Sequence, residues 1–189
     1  MDASKTLALA FSLAIATTAV AQQPSPYGSA PTAAASPAVA AGASLTGTWQ
    51  PREDAKQRAS RHQAIDQATE SLNWMMRGKA REKLRSATAS SDEVSIADAG
   101  QQVTLETPEQ RMTVATDGRP TKVSTPEMTG TVRAIRSKGN LTVEVAGERG
   151  TRTTTYIPSR DGRTLTLDVQ MSSARLAKPI RYQATYLRK

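Results

Sequence analysis

The sequence predicts a mainly β fold: an antiparallel meander of roughly eight strands that forms a small barrel or half-barrel, with one N-terminal helix packed on it. From Ser91 onward apolar residues alternate with polar ones, as they do in half-buried strands. Short turn signals separate these segments, and the stretch before them has apolar residues at helical spacing. The chain has 189 residues and no cysteine, so the fold has to rest on its core alone.

Residues 1–44 are expected to lie outside the folded domain. Residues 1–21 have the order of a secretory signal peptide, with an uncharged stretch from Thr6 to Val20 and small residues at Ala19 and Ala21 for cleavage. Residues 22–44 are mostly Ala, Pro, Ser, Gly and Thr without a charge, which predicts a disordered tether. We therefore expect an exported protein, periplasmic or extracellular, with its domain at 45–189 and no transmembrane segment.

The charged segment from Arg52 to Ser86 predicts the helix. Its charged residues, Arg61 among them, fall mostly away from one apolar stripe. Gly78 is expected to break the helix and leave a second short piece over residues 80–85. The stripe consists of Ile65, Ala68, Leu72, Met75 and Met76.

The strands follow from the period of two after Ser91. Turn signals at Asp117-Gly118, Lys138-Gly139-Asn140 and Asp161-Gly162 indicate hairpins between consecutive strands. The segment Arg119–Thr129 holds two prolines and is expected to be an edge strand or a loop. The alternating apolar sets are Val103 and Leu105; Met112 and Val114; Leu141, Val143 and Val145; Leu165, Leu167, Val169 and Met171; and Ile180, Tyr182, Ala184 and Tyr186.

A Gly-x-Trp motif, Gly47-Thr48-Trp49, stands ahead of the meander, and Arg188 shares a face of the last strand with the apolar set. This combination resembles the lipocalin-like barrels, and the resemblance implies that Trp49 closes one end of the barrel and stacks against Arg188. A helix directly after the Trp departs from that family. The whole order of elements also resembles a group of uncharacterised exported bacterial β-meander proteins, which implies a similar fold and supplies no activity.

The residue inventory argues against an enzyme. His62 is the single histidine and there is no cysteine, so the sequence predicts neither a metal site nor a Ser-His-Asp arrangement, and no cofactor. Glu144, Asp161 and Asp168 are the acid/base candidates, but a turn accounts for Asp161 and the polar faces of strands account for the other two.

The net charge of +8 favours anionic partners, although a solvated basic surface explains it equally well. Sequence-specific nucleic acid binding is not expected, because the strand arginines lack neighbouring aromatic residues. The leading interpretation is a monomeric, non-enzymatic, lipocalin-like envelope protein that weakly binds an amphipathic or lipidic anionic ligand. The alternative is a protein-interaction, structural or inhibitor module of the envelope that binds another protein and no small molecule.

Five side chains are the candidates for such a ligand site. Trp74, Met75 and Met76 are expected in a narrow slot between helix and sheet, where they either pack permanently or move aside for an acyl chain. Tyr182 and Tyr186 of the last strand complete the set. Gly47, Trp49 and Arg188 are expected to close the fold rather than to bind a ligand.

Overall fold

The structure is a computed structural model that describes residues 44–125 and 128–189. The predicted signal peptide, and the predicted tether apart from Ser44, lie outside the described residues. Within them, no helix has the length and apolar character needed to cross a membrane.

Ten strands and two helices are formed by the described residues. Both helices, α1 Ala55–Thr69 and α2 Trp74–Ala87, lie between the first two strands. The strands are β1 Gly47–Pro51, β2 Val94–Asp98, β3 Gln102–Glu106, β4 Arg111–Ala115, β5 Thr121–Thr125, β6 Met128–Ser137, β7 Asn140–Gly147, β8 Gly150–Pro158, β9 Thr164–Ser172 and β10 Ile180–Arg188.

All ten strands join one antiparallel sheet, so the predicted meander is confirmed. Consecutive strands after the helices pair with one another except β4 and β5, so the hairpin predicted at Asp117-Gly118 is wrong. β1 pairs with both β2 and β10, which leaves β4 and β5 as the two edges. The predicted number of eight strands is wrong. One additional strand is Val94–Asp98, where only Val94 and Ile96 mark the alternation. Another is Thr121–Thr125, an edge strand in the segment expected to be an edge strand or a loop.

The sheet curls into a nearly closed barrel, because its two edges approach one another just after β4. Asp117 forms an isolated antiparallel bridge with Ile135 of β6. The N–H of Gly118 donates to the carbonyl of Ala134 at 2.9 Å. This contact bypasses β5 and draws β4 towards β6.

The barrel has two different ends. We call the end that holds the start of β1, the end of β10 and the β8–β9 turn the base, and the opposite end the mouth. At the mouth β1 runs into α1, and the N–H of Arg52 donates to the carbonyl of Thr185 at 2.7 Å. The helices therefore cover the mouth on the β10 side.

The helix break lies before Gly78. The Asn73 side chain accepts the N–H of Met75 at 3.1 Å and thereby begins α2, and Gly78 lies inside that helix. A capping side chain satisfies an otherwise free N–H group, whereas a mid-helix glycine costs only about 1 kcal/mol. The prediction of one helix broken at Gly78 is therefore wrong.

The two helices form successive layers outside the barrel. α1 packs against β10, and α2 packs mainly against α1. Four residues of α1 are buried, and none of α2 is. Arg61 is among the buried ones, contrary to the prediction that it lies off the apolar stripe: it precedes Ile65 by one helical turn and therefore faces the barrel.

Candidate functional site

The base is closed by three residues that the sequence analysis singles out. Trp49 is fully buried, and the Arg188 guanidinium lies over its ring, 4.4 Å from the ring centroid. The Trp49 Nε1–H donates to the carbonyl of Leu45 at 3.1 Å. A side chain at Gly47 would place its Cβ 2.5 Å from Arg188 Nη1, so the glycine leaves the space that the arginine occupies.

Arg188 also joins three chain segments through its hydrogen bonds. Its Nε donates to the carbonyl of Gly162 at 2.6 Å, its Nη1 to that of Thr46 at 2.7 Å and its Nη2 to that of Ser44 at 2.8 Å. Each of its three nitrogens donates to a backbone carbonyl, so Arg188 holds the base together.

An arginine faces the barrel interior from β8. Arg152 lies opposite Val145 and Met171, two apolar residues that pack against the core, and opposite residues on paired strands project to the same face. Its side chain is half-buried. Within the part of the chain that the structure describes, Arg152 forms no ion pair with a carboxylate.

Three tyrosines lie close enough to Arg152 for its positive charge to affect their pKa. Burial raises the pKa of Tyr156 to about 12, and the positive charge of Arg152 acts in the opposite direction. Burial likewise raises the pKa of Tyr182 and that of Tyr186, and Arg152 opposes both shifts. Tyr156, Tyr182 and Tyr186 thus lie within electrostatic reach of one cation, and all three phenols remain neutral hydrogen-bonding groups at ordinary pH.

A buried ion pair lies beside these residues, at the inner surface of α1. Arg61 Nη1 is 2.6 Å from Glu53 Oε1, and both side chains are almost fully buried. The Arg61 guanidinium also faces the Tyr182 ring, 5.9 Å from its centroid. Since Glu53 neutralises Arg61, Arg152 remains as an inward-facing cation without a carboxylate partner among the described residues.

The mouth is less tightly filled than the base. We call its partly buried apolar side chains on the sheet side the mouth rim. Deeper in the barrel the side chains of Trp49, Val103 and Leu141 are fully buried. An apolar group can therefore contact the rim without displacing the side chains that fill the base. The mouth rim comprises Met112, Val123, Val145, Met171 and Leu176.

Trp74, Met75 and Met76 do not lie between helix and sheet, so their expected position is wrong. They occupy the first turn of α2 and expose 78%, 66% and 61% of their surface. The reason is the break at Asn73, which turns the chain into a separate helix whose packing partner is α1. Of the five predicted ligand residues, only the two tyrosines face the barrel interior.

Sequence reasoning missed Arg152 and Arg61 for different reasons. Arg152 lies in the run Thr151-Arg-Thr-Thr-Thr-Tyr156, where threonines on both faces hide the alternation. Tyr156, four residues further along the same face, was the available signal. Arg61 was assigned to the polar side because it is charged, although its spacing from Ile65 places it on the stripe.

The carboxylates considered for acid/base chemistry lie outside the barrel. Glu144 pairs with Arg133 at 3.0 Å, and Asp168 is exposed on the outer face of β9. Asp161 is held in its turn by the hydroxyl of Ser159 at 2.5 Å. No group of three or more His, Cys, Asp or Glu side chains in the described ranges is arranged to hold a metal ion.

Two concavities of the described surface lie outside the barrel. One, of about 640 Å³, runs between α1 and α2 past His62 and Asp66. The other, of about 230 Å³, lies on the outer face of β1 and β2 around Thr48 and Ser95. Both are open, and neither is lined by Arg152 or by one of the three tyrosines.

Neither the protein-family models nor the curated proteins include a match to this sequence. Among solved structures, a secretory abundant heat soluble protein of Ramazzottius varieornatus is similar with a TM-score of 0.48 and 10% identity, covering 77% of this chain and 95% of that one. Lipid binding protein 8 of Caenorhabditis elegans is similar with a TM-score of 0.47 and 8% identity, covering 76% and 94%.

A fatty acid binding protein of Schistosoma mansoni in complex with arachidonic acid is similar with a TM-score of 0.46 and 13% identity, covering 76% of this chain and 95% of that one. These scores and identities are low. The function of this chain therefore has to be inferred from its own residues.

Proposed function

We propose that this protein binds one anionic amphiphile at the mouth of its barrel, with the acidic head group on Arg152 and the apolar part against the mouth rim. The observation that carries the proposal is the inward-facing, half-buried guanidinium of Arg152, which has no carboxylate partner in the described residues. Burying a cation without a partner is costly, and a carboxylate or phosphate supplies the missing charge in bidentate geometry.

The tyrosines add selectivity for an acidic group. Their raised pKa keeps Tyr156, Tyr182 and Tyr186 protonated, so each retains a hydroxyl that can donate to an anion. The pair of Arg61 and Glu53 fixes the α1 side of the site without adding net charge. Because side chains fill the base, only a short apolar group fits without rearrangement, and we expect modest affinity.

The proposal also includes export and a role without catalysis. Residues 1–21 read as a signal peptide, and the carboxylates considered for catalysis lie on the outer surface. A binding protein of this kind would hold an amphiphile outside the cytoplasm, and its basic charge favours an anionic one.

The test is titration of the folded domain with laurate and with lysophosphatidylglycerol below their micelle concentrations. Lauryl maltoside serves as a neutral ligand of similar apolar length. We expect saturable binding of the two anions that weakens about tenfold or more in Arg152→Leu, because a charge-assisted contact is lost. Arg181→Leu is the matched control, since Arg181 is exposed on the outer face of β10 and should bind as the wild type does.

Two results would overturn the proposal. One is the absence of saturable binding at low salt for both anions. The other is unchanged affinity in Arg152→Leu, or equal affinity for lauryl maltoside. Native mass spectrometry of protein purified gently from its source provides a second readout, because a stoichiometric acidic lipid is expected on the wild type. An empty protein that recovers one defined protein partner would favour the interaction-module alternative.

A further inference from the structure

The outer face of α2 combines exposed apolar side chains with exposed lysines. Trp74, Met75 and Met76 are three of the four large hydrophobic side chains found exposed in the described residues, and they are consecutive. Lys79 and Lys83 follow Met75 and Met76 at helical spacing and are also exposed, and Trp74 lies at the start of the same helix. We call these five residues the α2 outer face.

The other basic residues of α2 have local partners. Arg77 donates to the carbonyls of Glu70 and Leu72, at 2.7 and 3.2 Å. Arg81 and Arg85 both approach Asp66 of α1, at 2.9 and 3.7 Å. These arginines therefore attach α2 to α1, whereas Lys79 and Lys83 form no ion pair with any of the described residues.

The position of α2 in the fold makes its outer face accessible. α2 has no buried residue and packs mainly on α1, so it is the layer farthest from the sheet on that side. It carries five basic side chains and one acidic one over its 14 residues. Large apolar side chains that are exposed next to one another normally form a binding surface, because soluble proteins seldom expose them as a patch.

We propose that the α2 outer face docks onto an anionic lipid bilayer, with Trp74, Met75 and Met76 in the interfacial layer and Lys79 and Lys83 on the acidic head groups. Charge selects this occupant: the helix has a strong positive excess and the protein carries +8. Tryptophan prefers the membrane interface, and basic helices with a few apolar anchors lie along it.

This docking surface does not depend on the ligand site at the barrel mouth. Its residues belong to α2, whereas Arg152 and the three tyrosines belong to the sheet. Arg152→Leu should therefore retain vesicle binding, and α2 variants should retain laurate binding. Failure of one proposal is thus distinguishable from failure of the other.

The experiment uses vesicles of phosphatidylcholine alone and vesicles that also contain phosphatidylglycerol. The chain offers its own reporter, because it has two tryptophans, one fully buried at Trp49 and one exposed at Trp74. We expect a blue shift of the fluorescence and quenching by lipid-borne quenchers with the anionic vesicles only. A Trp74→Phe variant should bind them without either signal, since Trp49 stays in the barrel.

Variants separate the apolar and the charged contributions. Trp74→Ala with Met75→Ser and Met76→Ser should abolish co-sedimentation with anionic vesicles, while Ile135→Ser, at an exposed apolar residue of β6, should not. Replacing Lys79 and Lys83 by Gln should lower the partition coefficient about fivefold for each lysine and reduce its salt dependence. Lys122→Gln, at an exposed lysine of β5, is the control for charge.

The proposal is overturned if the triple variant co-sediments like the wild type, or if neutral and anionic vesicles bind equally. It is also overturned if the wild type ignores vesicles and instead forms a dimer that the triple variant loses. Thermal unfolding of each variant verifies that a loss of binding does not come from a loss of fold.

Discussion

At the scale of single residues, strand alternation is informative only where apolar side chains mark one face. Arg188 follows four apolar positions at a spacing of two, so its inward direction can be read from the sequence. Arg152 has threonines on both sides and both faces, so the same rule gives no direction for it. The residue that carries the ligand proposal is therefore the one that required the structure.

The first residue-scale prediction concerns Arg188, which closes the base together with Trp49. Arg188→Ala removes the stacking on Trp49 and three hydrogen bonds to backbone carbonyls, so we expect the free energy of unfolding to fall by about 1–2 kcal/mol. Arg188→Lys should recover only part of the loss, because an ammonium lacks the planar fork. Urea denaturation measures the free energy of unfolding of each variant. Arg181→Ala, on the outer face of the same strand, should change little, and an equal loss there would contradict the role of Arg188.

The second prediction concerns high pH. The pKa of Tyr156 is about 12 in the folded chain against 10.0 for an ordinary tyrosine. The folded state therefore keeps a proton that the unfolded chain releases between these values. The stabilising contribution is complete below pH 10 and is lost as the pH rises towards 12, with a slope of up to about 1.4 kcal/mol per pH unit.

Denaturation across this pH range should show the fall, and Tyr156→Phe should make it shallower. Phenolate absorbance of the folded protein gives an independent reading. A Tyr156 phenol that titrates at its ordinary pKa would show that it is not shielded from water in the folded state.

At the scale of elements, the sequence identifies a helical segment but divides it incorrectly. The break follows the capping chemistry of Asn73, which depends on a local hydrogen bond that the spacing of apolar residues does not report. The same break explains why Trp74, Met75 and Met76 are exposed: α2 is a separate helix against α1 and does not continue along the sheet. Arg61 shows the reverse case, a charged residue buried because Glu53 compensates it.

Gly78 supplies the prediction at this scale. It lies in the interior of α2, and nothing comes within 4 Å of the position that a Cβ would occupy. Gly78→Ala should therefore raise the free energy of unfolding by about 0.5–1 kcal/mol, because alanine loses less backbone entropy in a helix. Asn73→Ala should act in the opposite direction by about 1 kcal/mol. Far-UV circular dichroism during thermal unfolding would measure both, and destabilisation by Gly78→Ala would mean that the glycine marks a real break.

At the scale of the whole molecule, alternation cannot separate a closed barrel from an open sheet, since both bury one face. The closing contacts involve few residues: Asp117 bridges Ile135, and Gly118 bonds to Ala134. They involve Asp117-Gly118, which the sequence predicts as a hairpin turn, whereas the structure bonds this segment to β6 and leaves β4 and β5 unpaired. The class of fold was therefore predictable, whereas the near-closure of the barrel and its inward-facing cation depend on long-range geometry.

The last prediction concerns this closure. Arg136 Nη2 of β6 lies 2.5 Å from Asp98 Oδ1 of β2, and both side chains are largely shielded from water. The pair ties the two halves of the sheet together on the side where β4 and β5 do not pair. Asp98→Asn leaves a shielded guanidinium without its counter-charge, so we expect a loss of about 1–3 kcal/mol in the free energy of unfolding.

Hydrogen exchange shows which strands lose stability, and this distinguishes a pair that closes the barrel from one that stabilises the whole fold. Native-state hydrogen exchange should accelerate most in β4 and β5, which are five-residue edge strands, and least in β8 to β10, which pair along their length. The matched control is Glu144→Gln, which removes the partner of Arg133 on the outer surface and should affect exchange little. Uniform acceleration over all ten strands would mean that the Asp98–Arg136 pair stabilises the core as a whole and that the gap between β4 and β5 is no weaker than the rest of the barrel.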